Sequence, residues 1–123
     1  MVSVGNHLKV VVSSALRPRI RAFYGGLLGL RPIPSPRPDL DLYEFHGGFV
    51  LGFFFTDSPA EVLSPEDYAK ATWLEIKVQN PAEWKTKLLA FGVREIAFPD
   101  PDRFFFQAPG GQVFRLAPMD GGL

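Results

Sequence analysis

Two segments of the chain have the apolar spacing of an amphipathic helix, and each follows a short strand-like run. The first run, Leu8–Val12, is rich in β-branched residues, and the second, Trp73–Val78, alternates in side-chain character. Pro18 suits a first helical turn, where its missing N–H costs nothing. The helical face that follows is apolar at intervals of three and four residues: Ile20, Phe23, Tyr24, Leu27 and Leu28. Gly29 then ends this predicted helix.

The second predicted helix has clearer boundaries. Asn80 is an N-cap residue, Pro81 suits the first turn, and Glu83 stands three positions after the cap. Gly92 ends the helix, because glycine readily adopts the left-handed conformation that follows a helix. The predicted buried stripe of this helix consists of Trp84, Leu88 and Phe91.

Three further strand-like runs follow each helix. In the first half they are Leu30–Ile33, Leu40–Phe45 and Phe49–Thr56, with a proline-rich loop at 34–38. In the second half they are Val93–Ile96, Arg103–Gln107 and Gln112–Leu116. The last two strands of each half meet at a glycine pair, Gly47-Gly48 or Gly110-Gly111. Each half is therefore predicted to be β-α-β-β-β.

The two halves are copies of one unit. Leu28–Ile33 recurs as Phe91–Ile96 at an offset of 63 positions, and the first strand recurs at an offset of 66. A sheet with a helix on one face leaves its other face exposed to solvent. A second copy of the module can cover that face, which explains the duplication. The expected fold class is α+β, with two tandem βαβββ modules. They form one domain, 1–123, with module one at 1–57, a linker at 58–71 and module two at 72–123.

Composition excludes several classes of function. Thirteen basic residues balance thirteen acidic ones, so no overall field favours nucleic acid or an anionic membrane. The absence of cysteine excludes disulfides, thiolate metal sites and a cysteine nucleophile. No signal-peptide pattern and no membrane-length apolar run is present, so we expect a cytoplasmic protein without nucleic-acid or membrane partners.

Two segments carry a family resemblance. Ala22–Leu30, with the sequence AFYGGLLGL, resembles a helix exit found in the vicinal oxygen chelate superfamily, which includes glyoxalase I, bleomycin-resistance proteins and extradiol dioxygenases. Ala108–Leu116, with the sequence APGGQVFRL, is similar to the closing hairpin and strand of that superfamily. The resemblance covers essentially the whole chain. It implies two half-barrels around a cavity and a homodimer.

The resemblance also implies four metal-ligand positions on the cavity, usually filled by His, Gln or Glu. Their counterparts in this chain are His7, Gly52, Trp73 and Arg115. Glycine has no donor, indole is not a ligand for divalent metals, and a guanidinium repels a cation. We therefore expect no metal site and no cofactor.

Strand alternation predicts which side chains share the cavity face with these four positions. The predicted lining is His7, Lys9, Phe54, Trp73, Glu75, Lys77 and Arg115. Charged residues inside a half-barrel either pair with each other or meet a ligand. Arg115 and Glu75 can form an ion pair that replaces the metal as internal support. Alternatively, Arg115 or Lys9 binds an anionic group while Trp73 and Phe54 stack on a flat ring. The two arrangements can coexist.

We therefore expect a metal-free protein that binds a small organic molecule through His7, Lys9, Phe54, Trp73, Glu75 and Arg115. The alternative is an enzyme, either a lyase or isomerase or a dioxygenase-type protein. It would use a residual metal on His7 and Glu75, or acid–base chemistry on Lys9 and Glu75. A third hypothesis is a structural module without a ligand. The fold does not choose among these, and no catalytic residue is assigned.

Overall fold

The computed structural model describes residues 1–57, 64–97 and 99–121. The chain divides into two compact units, Met1–Ala60 and Glu61–Leu123. Residues 58–63 of the predicted linker lie outside the described residues, whereas its end forms a helix at Pro65–Ala71. Within the described residues, no helix is long and apolar enough to cross a membrane.

The first unit is a four-stranded sheet with one helical segment. Its strands are β1 (His7–Ser13), β2 (Arg31–Ile33), β3 (Leu40–Glu44) and β4 (Val50–Thr56). They lie in the order β1-β4-β3-β2, with β1 parallel to β4 and the other pairs antiparallel. The helical segment comprises a 3₁₀ turn at Ser14–Leu16, α1 at Arg17–Arg21 and a π-helical turn at Ala22–Leu27.

The π-helical turn differs from the regular helix that the sequence predicts. It contains Gly25 and Gly26, two residues of weak helical propensity, and its end is marked by a bond from Leu28 N to Phe23 O at 2.9 Å. The predicted apolar face is nevertheless buried, because Phe23 and Tyr24 have no exposed surface. Tyr24 lies 4.9 Å from Phe53 between ring centroids, which fixes the helical segment onto one face of the sheet.

The second unit repeats this topology. Its elements are α2 (Pro65–Ala71), β5 (Trp73–Val78), α3 (Pro81–Phe91), β6 (Arg94–Ile96), β7 (Phe105–Gln107) and β8 (Val113–Pro118). The strand order is β5-β8-β7-β6, with β5 parallel to β8. Each strand has its counterpart in the first unit. The predicted α+β class and the tandem βαβββ modules are therefore confirmed.

Helix α3 begins and ends where its sequence predicts. The Asn80 side chain accepts a hydrogen bond from the Glu83 backbone N–H at 3.2 Å, which caps the first turn. Gly92 follows the helix with a φ of 104°, a left-handed conformation that favours glycine. Leu88 is fully buried, so α3 covers one face of the second sheet.

Candidate functional site

The predicted site residues share one face of each sheet. In the first unit, the parallel register pairs Lys9 with Gly52 and brings Phe54 beside Val11. In the second unit, the register pairs Glu75 with Arg115. Paired residues on neighbouring strands point to the same side, so these side chains occupy the face opposite α1 in the first unit and opposite α3 in the second. We call these the open face of the first sheet and the open face of the second sheet.

On the first open face, Lys9 donates a hydrogen bond to His7. The distance from Lys9 Nζ to His7 Nδ1 is 2.8 Å. Because an ammonium group can only donate, Nδ1 must carry the lone pair, and the neutral ring carries its proton on Nε2. Both side chains are exposed. His7 is the only histidine at the four ligand positions. Its Nδ1 is therefore already bonded to the ammonium group of Lys9.

Gly52 is covered by the stem of Lys9. A Cβ atom at position 52 would lie 2.7 Å from Lys9 Cδ and 2.8 Å from Leu42 Cδ2. These distances are shorter than any ordinary carbon–carbon contact. Gly52 therefore supplies the space through which Lys9 reaches His7, and a ligating side chain at this position would displace Lys9.

On the second open face, Arg115 and Glu75 form the predicted ion pair. Arg115 Nε donates to Glu75 Oε2 at 2.9 Å, and Nη2 donates to the same oxygen. The two side chains are 21% and 22% exposed, so the pair is accessible from solvent. Neither Nη1 of Arg115 nor Oε1 of Glu75 makes a hydrogen bond within the described part of the chain. The N–H groups of Arg115 Nη1 can therefore donate to a ligand, and Glu75 Oε1 can accept from one.

Trp73 supplies the apolar part of the second open face. The guanidinium carbon of Arg115 lies 5.2 Å from the Trp73 ring centroid, a cation–π distance. The Phe105 ring meets Trp73 edge-on at 5.1 Å, and Trp73 packs against a buried cluster of Ile96, Phe105 and Val113. The indole is therefore held in place while part of it stays accessible.

The two remaining predicted residues have other partners. Lys77 is exposed and donates to the Gly121 carbonyl oxygen at 2.8 Å, so its ammonium group holds the segment after β8. Phe54 is partly buried on the first open face, and the guanidinium carbon of Arg37 lies 5.3 Å from its ring centroid. A loop arginine that the sequence analysis did not select therefore covers Phe54.

The residues at the four ligand positions do not fit a divalent metal. His7 accepts from Lys9, Gly52 is covered by Lys9, and Arg115 brings a positive charge. In residues 1–57, 64–97 and 99–121, no three His, Cys, Asp or Glu side chains come together as a metal site requires.

A charge cluster on the helix side of the first sheet was not predicted from the sequence. Asp41 accepts from Arg17 at 2.7 Å and from Arg21 at 2.8 and 3.1 Å. Burial raises the pKa of the Asp41 carboxyl, but hydrogen bonds from Arg21 and Arg17 and their charges outweigh it, so the net pKa is lowered. Two features of the sequence could have indicated this cluster. Asp41 is an acidic residue at a helix-facing position of β3, and Arg17 and Arg21 are four positions apart on the predicted helix.

Comparison with solved structures shows three proteins with a similar fold over most of their length. One is a variant of FosX, a fosfomycin resistance protein from Listeria monocytogenes, in complex with Mn(II) and 1S,2S-dihydroxypropylphosphonic acid. It is 17% identical, with a TM-score of 0.68 over 95% of this chain and 90% of FosX. A Bacillus anthracis protein assigned to the glyoxalase family is 18% identical, with a TM-score of 0.67 over 94% of both chains.

The third is a glyoxalase-related enzyme from Fulvimarina pelagi. It is 19% identical, with a TM-score of 0.64 over 94% of this chain and 88% of that protein. No protein-family model matches the chain, and no curated protein sequence matches it. At these identities the comparison establishes the fold. The chain has the fold of the vicinal oxygen chelate superfamily, as the segments around Tyr24 and Gly110 predicted.

Proposed function

We propose that the chain is a metal-free binding protein for a small organic anion, with Arg115 as the anchor for the anionic group. The observation that carries this proposal is the arrangement of Arg115, whose Nε and Nη2 bond to Glu75 while Nη1 stays available. A guanidinium already held by a carboxylate loses little freedom when it binds a second acceptor. The neighbouring indole of Trp73 provides an apolar surface for the rest of the ligand.

The first open face supports the same class of function. Lys9 and His7 supply an ammonium group and a ring N–H, both exposed. Phe54 lies on the same face with a partly accessible aromatic ring. These groups suit recognition of an anionic or aromatic ligand, and the poor fit to a metal favours binding without one. We also propose that the protein forms a homodimer.

The test uses Trp73 as a reporter. The chain has two tryptophans, so Trp84→Phe leaves Trp73 as the only one. We expect benzoate or 1-naphthoate to change its fluorescence saturably, and Arg115→Gln to abolish the change. Arg103→Gln is the matched control, because Arg103 is an exposed arginine of the same unit that takes no part in the Glu75 pair.

Two results would contradict the proposal. The first is fluorescence that does not respond to either acid at millimolar concentration. The second is an equal response in the Arg115→Gln and Arg103→Gln variants, which would mean that Arg115 does not anchor the acid. Native mass spectrometry of the same protein gives its oligomeric state and reveals any organic molecule or metal that copurifies with it.

A further inference from the structure

The first unit contains a second concave site, built where β2 ends before β3. Ile33, the last residue of β2, pairs with Leu42, so the beginning of β3 extends past its neighbour. The proline-rich loop at 34–38 passes beside this extension and leaves a cavity of about 530 Å³. We call this cavity the arginine notch, because Arg17, Arg21 and Arg37 all line it.

The charges around the arginine notch do not cancel. Asp41 is bound by both Arg17 and Arg21, whereas Asp39 is bound by Arg37 at 2.9 and 2.7 Å. Three guanidinium groups therefore meet two carboxylates, which leaves one positive charge in excess. The notch is thus suited to an anion rather than to a cation or a neutral polar ligand.

Arg17 has a structural role. Its Nη2 donates to the Pro38 carbonyl oxygen at 2.9 Å as well as to Asp41, and its guanidinium carbon lies 4.5 Å from the Phe55 ring centroid. Only 26% of its side chain is exposed. Arg17 therefore joins the helical segment, the loop and the sheet, and its single positive charge already balances that of Asp41.

Arg21 and Arg37 are different, because more than half of each side chain is exposed. Each uses Nε and Nη2 for an aspartate, and in neither does Nη1 bond to any described residue. A carboxylate bound by two N–H groups fixes the plane of a guanidinium, so its remaining N–H groups keep a constant direction. Arg21 and Arg37 therefore each present one oriented N–H group at the cavity that is not used to bond an aspartate.

The arginine notch also has apolar lining residues. The side chains of Ile33, Leu40 and Leu42 lie on the first open face, whereas Pro32 and Tyr43 form a strand pair on the same face of the sheet as Asp41, and Pro38 lies in the loop. Inorganic phosphate would leave this surface uncovered, whereas an organic molecule with one charged end would cover it. We propose that the arginine notch binds an organic oxyanion, a carboxylate or phosphate ester with an apolar body, through Nη1 of Arg21 and Arg37. This site is independent of the proposed function at Arg115.

The experiment follows the backbone amide resonances of Ser35, Asp41 and Tyr43, which line the notch, by NMR during titration with phenyl phosphate and, separately, benzoate. We expect saturable shifts with at least one probe, and the probe that binds more tightly identifies the source of the oxyanion. Loss of one charged hydrogen bond in Arg21→Gln should weaken binding about tenfold. Arg31→Gln is the matched control, because Arg31 lies on β2, is 73% exposed and does not line the notch.

Arg37→Gln provides a second variant that keeps the ion pairs of Asp41 with Arg17 and Arg21, and we expect it to weaken binding while the fold stays intact. Arg115→Gln should leave these shifts unchanged, so failure here is distinguishable from failure of the proposed function. The absence of saturable shifts with both probes would overturn the inference. Equal weakening in Arg21→Gln and Arg31→Gln would also overturn it, as would inorganic phosphate binding as tightly as phenyl phosphate.

Discussion

The side chain of Lys9 crosses the Cα of Gly52 and ends against His7. A Cβ atom at position 52 would lie 2.7 Å from Lys9 Cδ and 3.2 Å from Lys9 Cε, while Nζ is 2.8 Å from His7 Nδ1. The duplication gives this contact a counterpart, because the register that pairs Lys9 with Gly52 pairs Glu75 with Arg115 in the second unit. Each module thus supplies one basic side chain from the same strand pair, from β1 in the first and from β8 in the second.

The contact between Lys9 and Gly52 predicts a specific coupling. Gly52→Ala should change the free energy of unfolding by less than about 1 kcal/mol, because the new methyl group overlaps only the flexible side chains of Lys9 and Leu42, which can move aside. Lys9→Ala removes one of the two obstacles, so the double variant should be more stable than the sum of the single variants predicts. Urea unfolding measures both effects. Strictly additive costs would show that Lys9 does not lie over position 52.

The Arg115–Glu75 pair predicts a loss of stability when one partner is removed. Arg115→Ala should cost about 1–3 kcal/mol, because it leaves a half-buried carboxylate without its donors. Glu75→Leu combined with Arg115→Met removes both charges and keeps the volume, so it should cost less than Arg115→Ala alone. Chemical denaturation of the three proteins tests this order. A stability of Arg115→Ala equal to that of the parent would mean that the pair contributes nothing to folding.

Most element boundaries could be predicted because local signals set them. Asn80 and Gly92 define α3 at both ends, and the alternation of Trp73–Val78 defines β5. The π-helical turn at Ala22–Leu27 could not be predicted, because the apolar face that packs on the sheet is buried in either kind of helix. Strand β7 begins at Phe105, two residues later than predicted, because strand pairing with β6 starts there.

Alternation also predicted the faces of the site residues, since side-chain direction in a strand depends only on position parity. It could not predict that Lys9 crosses Gly52, because that depends on the rotamer of a long side chain. The bonds from Arg17 and Arg21 to Asp41 were missed for another reason. They join residues 24 and 20 positions apart through the packing of a helix on a sheet, which local periodicity does not encode.

The lowered pKa of Asp41 predicts a loss of stability in acid. Because the folded state favours the carboxylate, the contribution is fully present above the usual carboxyl pKa of about 3.9. It is lost as the pH falls through the lower pKa of the folded state. The stability of Asp41→Asn should therefore depend less steeply on pH than that of the parent protein below about pH 4. Urea midpoints across that range test it, and parallel curves for parent and variant would contradict it.

The poor fit of a metal predicts that the protein, after removal of free metal, takes up neither Mn(II) nor Zn(II) stoichiometrically. Native mass spectrometry in the presence of either ion measures this. One bound ion per chain that disappears in His7→Ala would contradict the prediction, and with it the metal-free binding function.

The same geometry predicts how binding of a metal can be introduced. In the double variant Lys9→Ala with Gly52→His, the new imidazole occupies the space left by Lys9, and His7 Nδ1 loses its hydrogen-bond donor. Two neutral imidazoles on adjacent paired strands are suitable ligands for Zn(II), so this variant should bind Zn(II) more tightly than the parent does. Adding His7→Ala to the same background should remove the gain. If the gain persists without His7, the ion is bound elsewhere, and Lys9 is not the group that keeps a metal from His7.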